Sequence, residues 1–145
     1  MTLPQTVDYN YYREVNSMFN LGSGKNTVNL TLFDSEKECG EIGSEESKEK
    51  YVSLTEGVYR LTAHHGRLSI HQSYDREKYG YLCLELFTES GQRIASSRDV
   101  FSFPFQMVNF VLPQTLNLKI KVSRTGGTDR NKIHFYVEGS RSDMF

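Results

Sequence analysis

Between Thr27 and Val137 the chain repeats one pattern: short runs in which apolar and polar residues alternate, separated at close intervals by glycine or polar turn signals. Val28, Leu30 and Leu32 alternate with Asn29 and Thr31. The longest run, Tyr81–Thr88, puts Leu82, Leu84 and Leu86 on one face and Tyr81, Cys83, Glu85 and Phe87 on the other. Tyr51–Leu54, Val58–Ala63, Leu68–His71, Gln92–Ala95, Phe101–Phe103, Asn109–Leu112, Leu116–Val122 and Ile133–Val137 read as further strands. Side chains of a strand point alternately to opposite faces, so each run has one face to bury and one to leave in water. Two sheets packed face to face bury both apolar faces. The expected fold is therefore all-β: an antiparallel β-sandwich, jelly-roll-like. No helical period appears after residue 25, which argues against βαβ units.

The first 25 residues differ from the rest. Tyr11, Val15, Met18 and Phe19 are spaced for one face of a short helix, and the segment breaks at Leu21-Gly22-Ser23-Gly24. The expected division is an N-terminal helical or extended arm (1–25), a β-sandwich domain (26–140) and a C-terminal tail (141–145). Within the sandwich, Leu30–Asp34 followed by Ile42-Gly43-Ser44 is echoed by Leu84–Thr88 followed by Ile94-Ala95-Ser96. Tyr51–Leu61 is similarly echoed by Val100–Val111. An offset of about 50 residues suits an internal repeat, and implies two similar four-stranded halves that bury their faces against each other.

Motifs that carry chemistry are sparse. Gly22-Ser23-Gly24-Lys25-Asn26 lacks the earlier glycine and the following Ser or Thr of a phosphate loop. His64 and His65 are adjacent, so on a strand they face opposite sides, and His71 adds at most a second ligand to either. No metal site and no cofactor are expected. Asp75, Glu77 and Glu85 are candidate acids, but nothing singles them out as a pair of acid and base. The surface best suited to recognition is the polar stretch Gln72–Tyr81, in which Tyr74, Arg76, Tyr79 and Tyr81 are the candidate binding residues. Tyrosine offers stacking area with a hydroxyl handle, and arginine a fork of donors. The polar, glycine-rich stretch Ser123–Asn131 is a second candidate. The acidic stretch Glu36–Lys50 reads as a solvated loop.

Leu32-Phe33-Asp34, Gly43 and Leu54-Thr55-Glu56-Gly57-Val58-Tyr59-Arg60-Leu61 resemble the accessory β-sandwich domains of bacterial carbohydrate-active enzymes and the prepeptidase C-terminal-like domains. There a strand ends in an aromatic-Asp turn and a later Gly-x-Tyr-x-Leu hairpin returns along the sandwich. Leu86–Ile94 has the same character, with Thr88 in the Asp position. The chain has 0 Trp, so the flat indole platform of many sugar sites is missing. The resemblance spans roughly residues 28 to 138 and implies a non-catalytic accessory module within a larger carbohydrate-active enzyme, binding glycan or docking a protein partner.

Composition narrows the possible partners. The net charge of −1 gives no basic excess to neutralise phosphates, so no nucleic acid is expected as partner. No apolar run is long enough for a membrane span. The first ten residues lack the basic and apolar regions of a signal peptide, which leads to the expectation of a cytoplasmic chain or a fragment of a larger protein. The 2 Cys do not make a disulfide framework; Cys83, in an apolar run, reads as buried. The second functional expectation is a structural or assembly protein, a homo-oligomer or protein-binding unit that associates through Tyr9–Phe19.

Overall fold

The computed structural model describes residues 26–65, 80–97 and 106–144. The expected N-terminal arm, the strands at Leu68–His71 and Phe101–Phe103, the Gly-Lys motif and the candidates Tyr74, Arg76 and Tyr79 lie outside the described residues. The described residues form strands β1 (Thr27–Asp34), β2 (Ser47–Leu54), β3 (Gly57–His65), β4 (Tyr81–Thr88), β5 (Arg93–Ser96), β6 (Gln106–Leu112), β7 (Leu116–Thr125) and β8 (Phe135–Ser142), with one helical turn, α1 (Ser35–Glu38).

These strands make two four-stranded antiparallel sheets, in the order β1-β8-β3-β6 and β2-β7-β4-β5. The pairings β1·β8, β2·β7, β3·β6 and β4·β5 describe a long antiparallel ribbon whose tip is the β4–β5 turn. The pairings β3·β8 and β4·β7 close that ribbon on itself as it rolls. This is the eight-stranded, two-sheet jelly roll.

The alternation places the core between the sheets. Tyr59, Leu61, Val108, Phe110, Phe135 and Val137 from the first sheet meet Leu82, Leu84, Leu86, Leu118, Ile120 and Val122 from the second. Tyr59 and Phe110, opposite one another across β3 and β6, stack with ring centroids 5.1 Å apart. Phe33 meets Phe135 edge-to-face at 5.1 Å. The Tyr59 hydroxyl donates to the Thr55 carbonyl at 2.6 Å, so the ring is buried without losing its polar end.

Three expectations need correction. Each sheet draws strands from both halves of the chain, so the two sheets are not two repeated halves. Among the described residues β1 pairs with β8 alone, whereas its supposed equivalent β4 is an interior strand between β5 and β7. Similar alternation reflects a shared task, burying one face, and carries no information about neighbours. The Glu36–Lys50 stretch is not a continuous loop. Asp34 caps α1, its Oδ1 accepting from Glu36 N at 3.0 Å while Glu38 Oε2 accepts from Asp34 N at 2.7 Å. Ile42 then bridges to Ile133, and β2 begins at Ser47. The closing strand runs from Phe135 to Ser142, past the end of the alternation at Val137, because β1 and β3 flank it on both sides.

Candidate functional site

The described end of the first candidate stretch, Gly80-Tyr81, meets the second stretch at one end of the sandwich. β4 pairs with β7 so that Tyr81 lies opposite Thr125, immediately before Gly126-Gly127. Tyr81 is 41% exposed. The residue before it, Gly80, has φ +79°, and a Cβ there would sit 2.4 Å from the Thr125 carbonyl oxygen. Only glycine permits both the left-handed backbone and this close approach. The entry of β4 is thus seated directly on the β7 turn, and Tyr81 projects from a fixed position.

Arg124 organises the loops around that position. The sequence puts it in the polar candidate stretch Ser123–Asn131, but β7 extends to Thr125 and Arg124 is 0% exposed. Its Nη1 donates to the Asn131 carbonyl at 2.7 Å and the Ile42 carbonyl at 3.3 Å, and its Nη2 to the Asp129 carbonyl at 2.8 Å. Its backbone N–H donates to Glu46 O at 3.0 Å, and its carbonyl accepts from Glu45 N at 2.8 Å. One side chain therefore ties the 40–46 loop to the 126–133 loop through carbonyls that water would otherwise solvate. The sequence did hold a signal for this. Leu118, Ile120 and Val122 point into the core, and Arg124 is next in the same phase.

The rest of the cluster is equally committed. Glu45 adopts a left-handed backbone, φ 63°, and its carboxylate accepts from Gly126 N at 2.7 Å. Ser44 Oγ donates to Gly126 O at 3.2 Å. Asp129 Oδ1 accepts from Asn131 N at 2.9 Å, an Asx turn. His65, at the end of β3, has its pKa held below the ordinary histidine value, first by burial, then by the Arg124 guanidinium and by His64, with Asp129 opposing.

The other described histidines are spread over different faces. His64 Nε2 lies 2.7 Å from Glu138 Oε1, where Thr31 Oγ1 also donates to Glu138 Oε2 at 3.3 Å, and its ring tilts against Tyr136 at 5.8 Å. Ser35 Oγ is hydrogen-bonded to His134 Nδ1 at 3.0 Å and accepts from Phe135 N at 2.8 Å. Ser35 is fully buried, so this Ser–His contact fastens α1 to β8 and offers no accessible nucleophile. Glu85 is buried and pairs with Arg93 at 3.4 Å. Both cysteines are thiols, Cys39 exposed and Cys83 buried. Among the described residues no three His, Cys, Asp or Glu side chains are grouped to hold a metal ion, and no helix is long and apolar enough to cross a membrane.

No family model matches the chain, no curated protein matches it, and neither does any solved structure.

Proposed function

We propose that this chain is a non-catalytic recognition module that binds glycan at the loop end around Tyr81. The observation that carries the reading is an exposed aromatic ring held on a rigid frame: Gly80 and Thr125 fix its backbone, and Arg124 fixes the loops beside it. A preorganised aromatic loses little freedom on binding, so more of its contact energy reaches the complex. The face of a tyrosine ring stacks on the apolar face of a sugar, and its hydroxyl offers a hydrogen bond. The resemblance to accessory sandwich domains of carbohydrate-active enzymes points the same way. Tyr74, Arg76 and Tyr79, which precede Gly80 by a few residues in the chain, belong to the same proposed surface.

A glycan array followed by calorimetric titration tests this. A sugar that binds the wild-type chain is expected to bind Tyr81→Ala at least about tenfold more weakly, the loss of one good aromatic contact, with the thermal melt unchanged. Silence of the wild-type chain across the array removes the glycan assignment.

A further inference from the structure

Leu118, Ile120 and Val122 of β7 fill the core, so Asn117, Lys119 and Lys121 stand on the outer face of the second sheet. The register carries that face across the sheet. Tyr51 of β2 and Phe87 of β4 both lie opposite Lys119, and Glu49 and Glu85 both lie opposite Lys121. Phe87 in turn lies opposite Arg93 of β5. The charges on this face are interleaved. Lys119 Nζ is 3.2 Å from Glu49 Oε2 and 5.1 Å from the centroid of the Phe87 ring. Arg93 Nη1 is 3.4 Å from Glu85 Oε2.

Tyr51 is the exception on this face. Its side chain is 72% exposed, more than any other large hydrophobic among the described residues. Its backbone is fixed, because β2 pairs with β7 in unbroken register from Ser47 to Leu54. Glu49 and Ser53, two positions to either side, share its face and are exposed too. The ring is therefore presented from a rigid strand, with a carboxylate and a hydroxyl beside it. A protein partner would need a broad apolar centre, and one ring among charged and polar groups does not supply it. Interleaved charges give no field for a phosphate backbone. A sugar ring has the matching size and chemistry: one apolar face for the tyrosine, and hydroxyls for the polar groups around it.

Given a chain that binds glycan, we propose that Tyr51 is a second sugar platform, so that one chain grips a polysaccharide at two separate points. Tyr81 and Phe87 stand near opposite ends of β4, and Phe87 shares a row with Tyr51. Tyr51 is thus roughly 20 Å from Tyr81, at about 3.3 Å per strand residue. Cys83 and Ser123, which lie between them, are buried and join neither platform. Two platforms so far apart hold separate short sugars, but a long chain can reach both. Its second contact then forms at high effective concentration, which raises affinity for polymer over oligomer.

Calorimetric titration of the full chain with trisaccharides of β-linked glucose, xylose and mannose, too short to reach both rings, tests the proposal. A trisaccharide that binds is expected to fill two sites in the wild type, one in Tyr51→Ala and one in Tyr81→Ala. Tyr51→Phe keeps the ring and is expected to keep both sites. Tyr51→Thr, a strand-favouring residue without a ring, gives the same readout if the alanine variant misfolds. A soluble polymer of the same sugar is expected to bind either alanine variant at least about tenfold more weakly than the wild type. A single site that survives Tyr51→Ala and disappears in Tyr81→Ala overturns the proposal and leaves the loop-end reading standing. A single site that disappears in Tyr51→Ala and survives Tyr81→Ala upholds the Tyr51 platform and overturns the loop-end reading. A wild-type chain that binds none of these sugars overturns both.

Discussion

Arg124 shows how one residue can hold a loop end together. Its guanidinium is buried because its charge is spread over donors that meet the carbonyls of Ile42, Asp129 and Asn131. Truncation leaves those acceptors in a dry site without a donor. Arg124→Ala is expected to lower stability by about 3 kcal/mol, read from denaturant unfolding, with Arg124→Lys recovering less than half because an ammonium cannot fork to all three. His65 adds a pH signature. Its folded pKa lies below the ordinary value, chiefly through burial, so the unfolded chain takes up the proton first. Stability from this group is complete above the unfolded pKa, about 6.5, and is lost as pH falls from there toward the folded value. Wild-type stability should therefore rise with pH over that window. His65→Gln should flatten the rise, measured as the unfolding midpoint against pH; an unaltered slope contradicts the assignment. Tyr81 was legible as a candidate from sequence, since an aromatic at a polar loop's end is visible there. Arg124 reads from sequence only as part of a polar candidate stretch, although its parity with Val122 puts it in core phase. A charge in core phase is readable only when the strand is known to continue, and Thr125-Gly126-Gly127 hid that continuation.

At the level of elements, alternation was a reliable guide to strands and an incomplete guide to their ends. β4 spans Tyr81–Thr88 as the pattern predicts, and Leu82, Leu84 and Leu86 are core residues. The polar second half of β8, Glu138–Ser142, carries no alternating apolar signal, yet it is strand because β1 and β3 supply hydrogen-bond partners on both sides. Gly139 makes that position possible. It lies between Leu30 of β1 and Leu61 of β3, and a Cβ there would fall 1.8 Å from the Arg60 carbonyl oxygen. That neighbour is backbone, which cannot swing aside as a side chain could. Gly139→Ala is expected to cost at least about 3 kcal/mol, at or beyond the upper end of ordinary overpacking. A loss of soluble protein or a large drop in melting temperature would register it; a near-wild-type melt would mean that β8 and β3 are further apart than described.

For the molecule as a whole, the chain behaves as a ribbon folded at β4–β5 and rolled so that its ends meet. The innermost pairs, β4·β5 and β3·β6, are closer in sequence than β2·β7, and β1·β8 joins residues from opposite ends of the described chain. Ser35 Oγ, bonded to His134 and Phe135, clamps this last joint from outside the ladder. The amino-acid sequence by itself determined that the fold is a two-sheet β-sandwich and which side chains fill it, because alternation is a local property written residue by residue. Tertiary structure decided which strands are neighbours and that Tyr81 stands beside the Arg124-stapled loops. Those outcomes depend on hydrogen bonds between distant segments, and backbone groups are the same at every position, so the sequence carries no local mark of their partners.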